Sequence, residues 1–317
     1  MMGMPTFALS FSTCVLFAAT LFPFMVSAAE PPAGLLYVRP AKVELDIAPG
    51  ESKEATLAIE NTTNTPLLLT LGTEDVEGGR TEGSPGSFVL VSDRAGAYPL
   101  RDLIELPERT LTLLSGKEVK IPVTVHIPAD ISPGGRYGAV TVSFKPADQK
   151  KGATSVSPES RMAVLFFVRV LGDTTEEGEL VSFGVQNNAR YVPVPSATAP
   201  LLFQMAFENK GGVHVNPYGR MTLDPLIGDG HVVSVDPWAV LPKTTRTREL
   251  SVSEPLTPGF YQAHLELNRG YGDVVDERVV WFVVYPGTRG LFGLALGVLV
   301  FIFVLWRSLR ISRNFVT

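Results

Sequence analysis

The stretch VKIPVTVHI, residues 119–127, decides the fold class of this chain. Val119, Ile121, Val123, Val125 and Ile127 alternate with Lys120, Pro122, Thr124 and His126. Successive side chains of a strand point to opposite faces, so a period of two marks a half-buried antiparallel strand. The period recurs on both sides of this stretch. Ala55, Leu57 and Ile59 carry it before; Phe203, Met205 and Phe207, then Tyr261, Ala263, Leu265 and Leu267, carry it after. Two runs, MAVLFFVRVL (162–171) and VVWFVVY (279–285), are apolar without alternation. They read as central strands, each closing a module. Turns fall at Pro49-Gly50, Asn61–Asn64, Ser115-Gly116, Pro133–Gly135 and Pro258-Gly259.

A weak internal repeat divides this pattern in two. Glu60-Asn61 and Glu208-Asn209 each end an alternating strand and open a turn, and PGGRYGAVTVSF (133–144) parallels PGFYQAHLEL (258–267). The expected fold is all-β: two immunoglobulin-like β-sandwich domains in tandem, over 35–172 and 173–286. GDTTEEGEL (172–180) supplies the linker. The Cys…Trp…Cys spacing of disulfide-type immunoglobulin domains is absent. The Gly- and acid-rich stretch 72–106 interrupts the first sandwich and reads as a solvated insertion.

Composition narrows the function classes. Of 317 residues 45% are apolar, too many for a disordered chain. A net charge of −5 argues against a dedicated nucleic-acid binder. One Cys rules out a disulfide framework or a thiolate zinc site.

The ends carry targeting signals. Residues 7–26 hold no charge, and Val26-Ser27-Ala28 places small residues before a cut after Ala28. Residues 1–28 are therefore expected to be a signal peptide, although its start lacks Lys and Arg. Residues 290–306, GLFGLALGVLVFIFVLW, hold no charge either. A helix of this length rises about 26 Å, enough for a thin hydrocarbon core. The expected membrane anchor runs over 287–307 and includes Leu291, Phe301 and Trp306. Arg307, Arg310 and Arg313 follow, so the positive-inside rule puts the tail, 308–317, in the cytoplasm and the bulk of the chain outside, as a single-pass type I protein.

No catalytic constellation stands out. His126 and His264 sit on polar strand faces, and His214 and His231 lie in turn-rich segments without acids at ligand spacing. No G-x-S-x-G or P-loop is present, and no metal or cofactor is expected. Paired acids such as Glu74/Asp75 and Glu176/Glu177 read as solvated loop. Asn61-Thr62-Thr63 is a glycosylation sequon, but a turn-forming Asn is the preferred reading. Aromatics beside Pro or Gly are the better binding candidates: Trp238 in DPWAV and Tyr271 in RGYGD, with Tyr98 and Tyr218 expected in the core.

The order of segments 38–66, 115–144 and 208–225, framed by a leader and one apolar helix with an Arg tail, resembles the bacterial cell-surface proteins that act with WxL-domain proteins. The resemblance implies that the first sandwich binds peptidoglycan and the second a WxL-type partner. The leading expectation is thus a non-enzymatic, membrane-anchored surface protein that binds cell-wall glycan or another surface protein. The alternative is a pilus-chaperone-like assembly module donating or accepting an edge strand. The rhythm from Pro40 through Val43 and Leu45 to Asn61 and Pro66 resembles pilus-chaperone and major-sperm-protein sandwiches. A hydrolase assembled from scattered residues ranks third.

Overall fold

The structure is a computed structural model that describes residues 36–79, 88–147, 160–186, 191–193, 201–254, 256–285 and 288–313. The first module contains β1 (Leu36–Arg39), β2 (Lys42–Ile47), β3 (Ser52–Asn61), β4 (Leu67–Gly78), β5 (Phe88–Val91), a 3-10 turn (Arg101–Leu103), β6 (Ile104–Glu105), β7 (Thr110–Leu113), β8 (Glu118–His126), β9 (Gly134–Pro146) and β10 (Ser160–Val170). The second contains β11 (Gly178–Val185), β12 (Tyr191–Pro193), β13 (Leu201–Asn209), β14 (Tyr218–Pro225), β15 (His231–Val235), β16 (Thr244–Val252), β17 (Gly259–Asn268) and β18 (Val275–Tyr285). A helix, α1 (Thr288–Arg313), follows.

Each module is a sandwich of two sheets. In the first, sheet A runs β1-β3-β8-β6 and sheet B runs β2-β10-β9-β4-β5, with β7 also on β4. In the second, sheet C runs β11-β13-β16 and sheet D runs β12-β18-β17-β14-β15. The alternation read from the sequence explains the packing. Leu57, Val123 and Val125 of sheet A face Val140, Phe166 and Val168 of sheet B. Phe203, Met205 and Phe207 of sheet C face Leu223, Ala263, Leu265 and Phe282 of sheet D. Each large side chain so buried contributes about 1.5–3 kcal/mol.

Each module's first segment serves both of its sheets. β1 pairs antiparallel with β3; after the cis Arg39–Pro40 peptide the chain crosses over, and β2 pairs parallel with β10. In the second module β11 pairs antiparallel with β13 and β12 parallel with β18.

The internal repeat has a physical basis in Asn61 and Asn209, both fully buried. Asn61 Nδ2 donates to Thr65 O (2.9 Å) and Leu113 O (3.0 Å), and its Oδ1 accepts from Thr63 N (3.0 Å). Asn209 Nδ2 donates to Val213 O and Val240 O, and its Oδ1 accepts from Gly211 N, each at 2.8 Å. Both side chains bind the backbone two and four residues on and tie the turn to a distant segment of the same module, β7 at Leu113 in the first and Val240 in the second. An Nδ2 engaged twice and fully buried leaves no room for a glycan at Asn61.

The described parts of the stretch 72–106, residues 72–79 and 88–106, are not a solvated insertion; residues 80–87 lie outside the described residues. Its start is the second half of β4, and β5, the 3-10 turn and β6 follow. Asp75 is fully buried: Oδ1 accepts from Leu100 N (2.8 Å) and Arg101 N (2.9 Å), and Oδ2 from Gly96 N (2.9 Å). Glu77 binds Arg94 through both oxygens at 2.8 Å. These acids pin the returning chain onto sheet B.

The leader with Ala28 lies outside the described residues. Among the described residues no helix is long and apolar enough to cross a membrane. The side chains described in α1 are those of residues 293 and 295–307, and every one is exposed, Phe301 at 65% and Trp306 at 49% among them. Arg307 is exposed at the end of this stretch. Leu291, Arg310 and Arg313 belong to α1, with side chains outside the described set.

Candidate functional site

The two modules meet through aromatic side chains. β10 puts Phe166 and Val168 on the core face of sheet B and Phe167 on its outer face, in register with Tyr137 of β9. Both rings are fully buried, together with Val76, Ala239 and Leu241. Ala239 and Leu241 belong to module two, so module two covers the outer face of sheet B. Phe167 stands edge-on to Tyr137 and to Phe88, with ring centroids 5.3 Å apart in both cases. Arg246 lies over Phe88 at 4.4 Å. Gly135 N donates to Gly212 O at 3.0 Å, adding a backbone link across the joint.

His214 enters this cluster from module two. Its backbone N–H donates to Tyr137 Oη at 2.7 Å, and its ring lies edge-on to Phe167 at 5.3 Å. Burial pulls the imidazole pKa below its ordinary value; nearby Glu44 opposes this, while Lys42 and Arg169 add to it. Burial also pushes the Tyr137 phenol far above its ordinary value. Both groups are therefore neutral at physiological pH.

A polar cluster lies beside this joint. Lys42 and Glu44 belong to it from β2, Arg169 from β10, and His214 and Asn216 from module two. Lys42 Nζ lies 2.5 Å from Glu44 Oε1 and 5.6 Å from the centre of the Phe167 ring. Burial alone would raise the Glu44 pKa, but Lys42, with His214 and Asn216, outweighs it and holds the carboxyl below its ordinary value. Arg169 pairs with Glu176 of the linker. Asn216 Oδ1 is buried and has no hydrogen-bond partner among the described residues.

Strand β10 leaves part of one edge open. β10 pairs with β9 along its whole length, Ser160 to Val170, but β2 pairs only with Leu165–Val170. The cause is the crossover at Pro40: upstream of it the chain belongs to sheet A. Ser160–Val164 is thus left paired on one side among the described residues. Leu165 N donates to Ala41 O (3.0 Å) and Leu171 N to Ile47 O (2.9 Å), so odd-numbered backbone groups of β10 face the β2 side. Backbone groups alternate along an antiparallel strand, so Arg161 and Ala163 present theirs to the gap. Met162 lies on the core face with Val164 and Phe166, yet it is 36% exposed. Sheet and core are both open at this point.

The aromatics singled out in the sequence lie elsewhere. Trp238 is 5% exposed and packs in the core of module two, its Nε1 without a partner among the described residues. It is no surface platform. Tyr271 packs against the same core, and its hydroxyl accepts from Gly178 N (2.6 Å) and donates to Gly178 O (2.9 Å). Both are structural. Tyr218, expected inside, is 45% exposed. His231 pairs with Glu254 at 2.8 Å, and no cluster able to hold a metal ion occurs among the described residues. Sequence reasoning missed Phe167, Tyr137 and the β10 edge. The one available signal was the lack of alternation in 162–171.

No known family model matches the chain, and no curated protein matches it in sequence. Its fold is similar to solved fimbrial chaperones. The class 5 fimbriae chaperone CfaA is 13% identical, over 78% of this chain and 99% of that one, with a TM-score of 0.39. The E. coli chaperone DraB is 13% identical, over 80% and 99%, with a TM-score of 0.36. A chain of the CsuC–CsuE chaperone–tip adhesion subunit complex of Acinetobacter baumannii is 13% identical, over 68% and 89%, with a TM-score of 0.36. Likeness at these scores carries no weight for function.

Proposed function

We propose that this chain is a non-enzymatic assembly module that pairs its open β10 edge with a strand of a client protein. The observation that carries the reading is the half-paired segment Ser160–Val164 beside a partly uncovered core face. An unpaired edge is a template for strand addition: backbone hydrogen bonds give affinity, and alternate side chains give specificity. A client strand would satisfy Arg161 and Ala163 and lay an apolar side chain beside Met162. The reading stands on this edge rather than on the roles of the structural neighbours. The anchor belongs to the same proposal; it rests on the uncharged run 290–306 of the sequence, since no described helix is by itself long and apolar enough to cross a membrane. The exposed stretch of α1 is apolar on all sides, and such a helix is stable where apolar surroundings cover it, as lipid does.

The test uses the pairing geometry. Pro at Ala163 removes an N–H aimed at the gap, which an edge strand tolerates. Pro at Met162 removes one aimed at β9. Photo-crosslinking from position 162 in the full chain, in its own cells, should trap a client segment of alternating apolar residues. Ala163→Pro should abolish that adduct and leave the fold intact. An absence of adducts at position 162, or adducts indifferent to Ala163→Pro, would sink the proposal. The resemblance to WxL-interacting proteins names two further ligands, peptidoglycan and a WxL-type protein. Retention on peptidoglycan unchanged by Ala163→Pro would favour that reading instead.

A further inference from the structure

Two strands share one sequence signature but differ in cover. The run 162–171 is apolar on both faces because module two lies on its outer face. The run 279–285 is equally apolar, yet Val279 (47%) and Trp281 (59%) stay exposed on the outer face of sheet D.

That outer face is graded along its strands. At its far end Tyr218 (45%) and Val275 (49%) are exposed in the row Tyr218, Asn268 and Val275, followed by Arg220, Glu266 and Glu277 in register across β14, β17 and β18. Next come Thr222, His264 and Val279, then Asp224, Gln262 and Trp281. At the near end Phe260, 59% exposed, pairs with Val283, and Leu226 N donates to Phe260 O at 2.9 Å. The β14–β15 turn then carries Leu226 and Ile227, exposed at 72% and 88%. The charged rows thus lie mid-face, and the end of β18 from which α1 departs carries the exposed apolar side chains of Phe260, Leu226 and Ile227. Val283 and Thr288 are five residues apart, a reach of at most about 18 Å.

We infer that this apolar end of module two, formed by Leu226, Ile227, Phe260 and Trp281, rests in the lipid interface of the bilayer that holds α1. The inference depends on the anchor reading above. Continuity with α1 selects the occupant. A sandwich joined to an embedded helix by a few residues has this end held at the surface already. Trp281 shares its row with Asp224 and Gln262 next to the apolar row, a polar-apolar boundary where an indole favours a membrane–water interface. Such a patch buries about 5–10 Å into the headgroup boundary. The charged residues of 224–230, Asp224 and Asp229, are both acids, so apolar insertion rather than attraction to anionic lipid drives the contact. The surface recognised is a zwitterionic bilayer.

The test places an environment-sensitive fluorophore on single cysteines in the full chain with Cys14 replaced by Ser. The labelled positions are Ile227→Cys at the patch, Phe301→Cys in α1 and Val275→Cys at the far end of β18. The probe membrane is a phosphatidylcholine vesicle carrying spin-labelled lipid. The expected result is a blue shift and loss of emission at 227 with a shallow quencher, loss at 301 with a deep one, and none at 275. Quenching at 301 with position 227 as wet as 275 would overturn the patch and leave the anchor standing. No quenching at 301 would overturn the anchor, and the patch with it. Leu226→Asp with Ile227→Asp, which alters exposed side chains only, should dry-shift nothing at 301 and abolish quenching of a label at Phe260→Cys; persistence there would also count against the patch.

Discussion

The hydroxyl of Tyr137, buried in module one, accepts a hydrogen bond from the backbone N–H of His214 in module two at 2.7 Å. This bond sits at the centre of the joint, among Phe167, Phe88 and Tyr98. A joint of edge-on rings with a polar clasp holds two sandwiches at one angle, because burial leaves that N–H no water to turn to. The joint thereby fixes module two against the outer face of the sheet that carries the β10 edge. The first residue of the linker is close-packed. Gly172 has φ of +143°, and a Cβ there would meet Pro133 Cγ at 2.4 Å.

Tyr137→Phe tests the clasp. The ring contacts survive, but the His214 N–H loses its acceptor. Leaving a buried donor unpaired costs about 1–3 kcal/mol. Urea unfolding should show a loss of that size, and amide exchange at His214 should quicken. Unchanged stability with unchanged exchange would show that water or another acceptor replaces the phenol.

The joint should also respond to pH through His214. Its pKa is lowered in the folded chain, chiefly by burial, whereas the unfolded chain takes up a proton near the ordinary value of about 6.5. Between the two values the unfolded state binds more protons, so stability falls as pH drops through that window. It is full above about pH 6.5 and levels off below the folded pKa. Glu44 and Asp46 favour the charged ring; Lys42 and Arg169 oppose it. Stability profiles of the parent and of His214→Phe, measured by urea titration from neutral to mildly acidic pH, should diverge in this window. Parallel profiles would remove His214 from the account.

The sandwich cores were legible in the sequence because burial on one face imposes a period of two, and the repeated Glu-Asn pair marked the equivalent corners. The joint was not legible. Its aromatics sit in strands whose second face is covered by residues about a hundred positions away, and local periodicity carries no record of that. Asp75 illustrates the same gap. An acid in a Gly-rich stretch looks solvated until the chain from Gly96 to Arg101 returns to cap it. Trp238 misled for a related reason. Pro237 beside it marks a turn in the backbone, but a turn does not say whether its side chain faces outward or plugs the core.

The two corner asparagines should be replaceable by nothing of similar shape. Asn61→Asp keeps the oxygen that accepts from Thr63 N but turns the donor to Thr65 O and Leu113 O into a second acceptor. Two carbonyls then face a buried carboxylate. Unpaired buried polar groups cost about 1–3 kcal/mol each, more when charged, so the variant should lose several kcal/mol. Asn209→Asp should behave alike in module two. Chemical denaturation of each variant measures the loss. A drop under about 1 kcal/mol at either site would mean that solvent reaches the corner.

Asp75→Asn isolates the role of a single buried oxygen. Asn still offers Oδ1 to Leu100 N and Arg101 N, but its Nδ2 meets the N–H of Gly96, and two donors then face each other. Flipping the amide merely moves the conflict to the other two N–H groups. Stability should fall by about 1–3 kcal/mol, the cost of an unpaired buried donor. The damage should be local. Amide exchange should rise at Gly96 and along the segment through Arg101, while the corner amides Thr63 and Gly211 keep their protection. Uniform exchange across the first module would instead mean that Asp75 holds up the whole sandwich, not the returning chain alone.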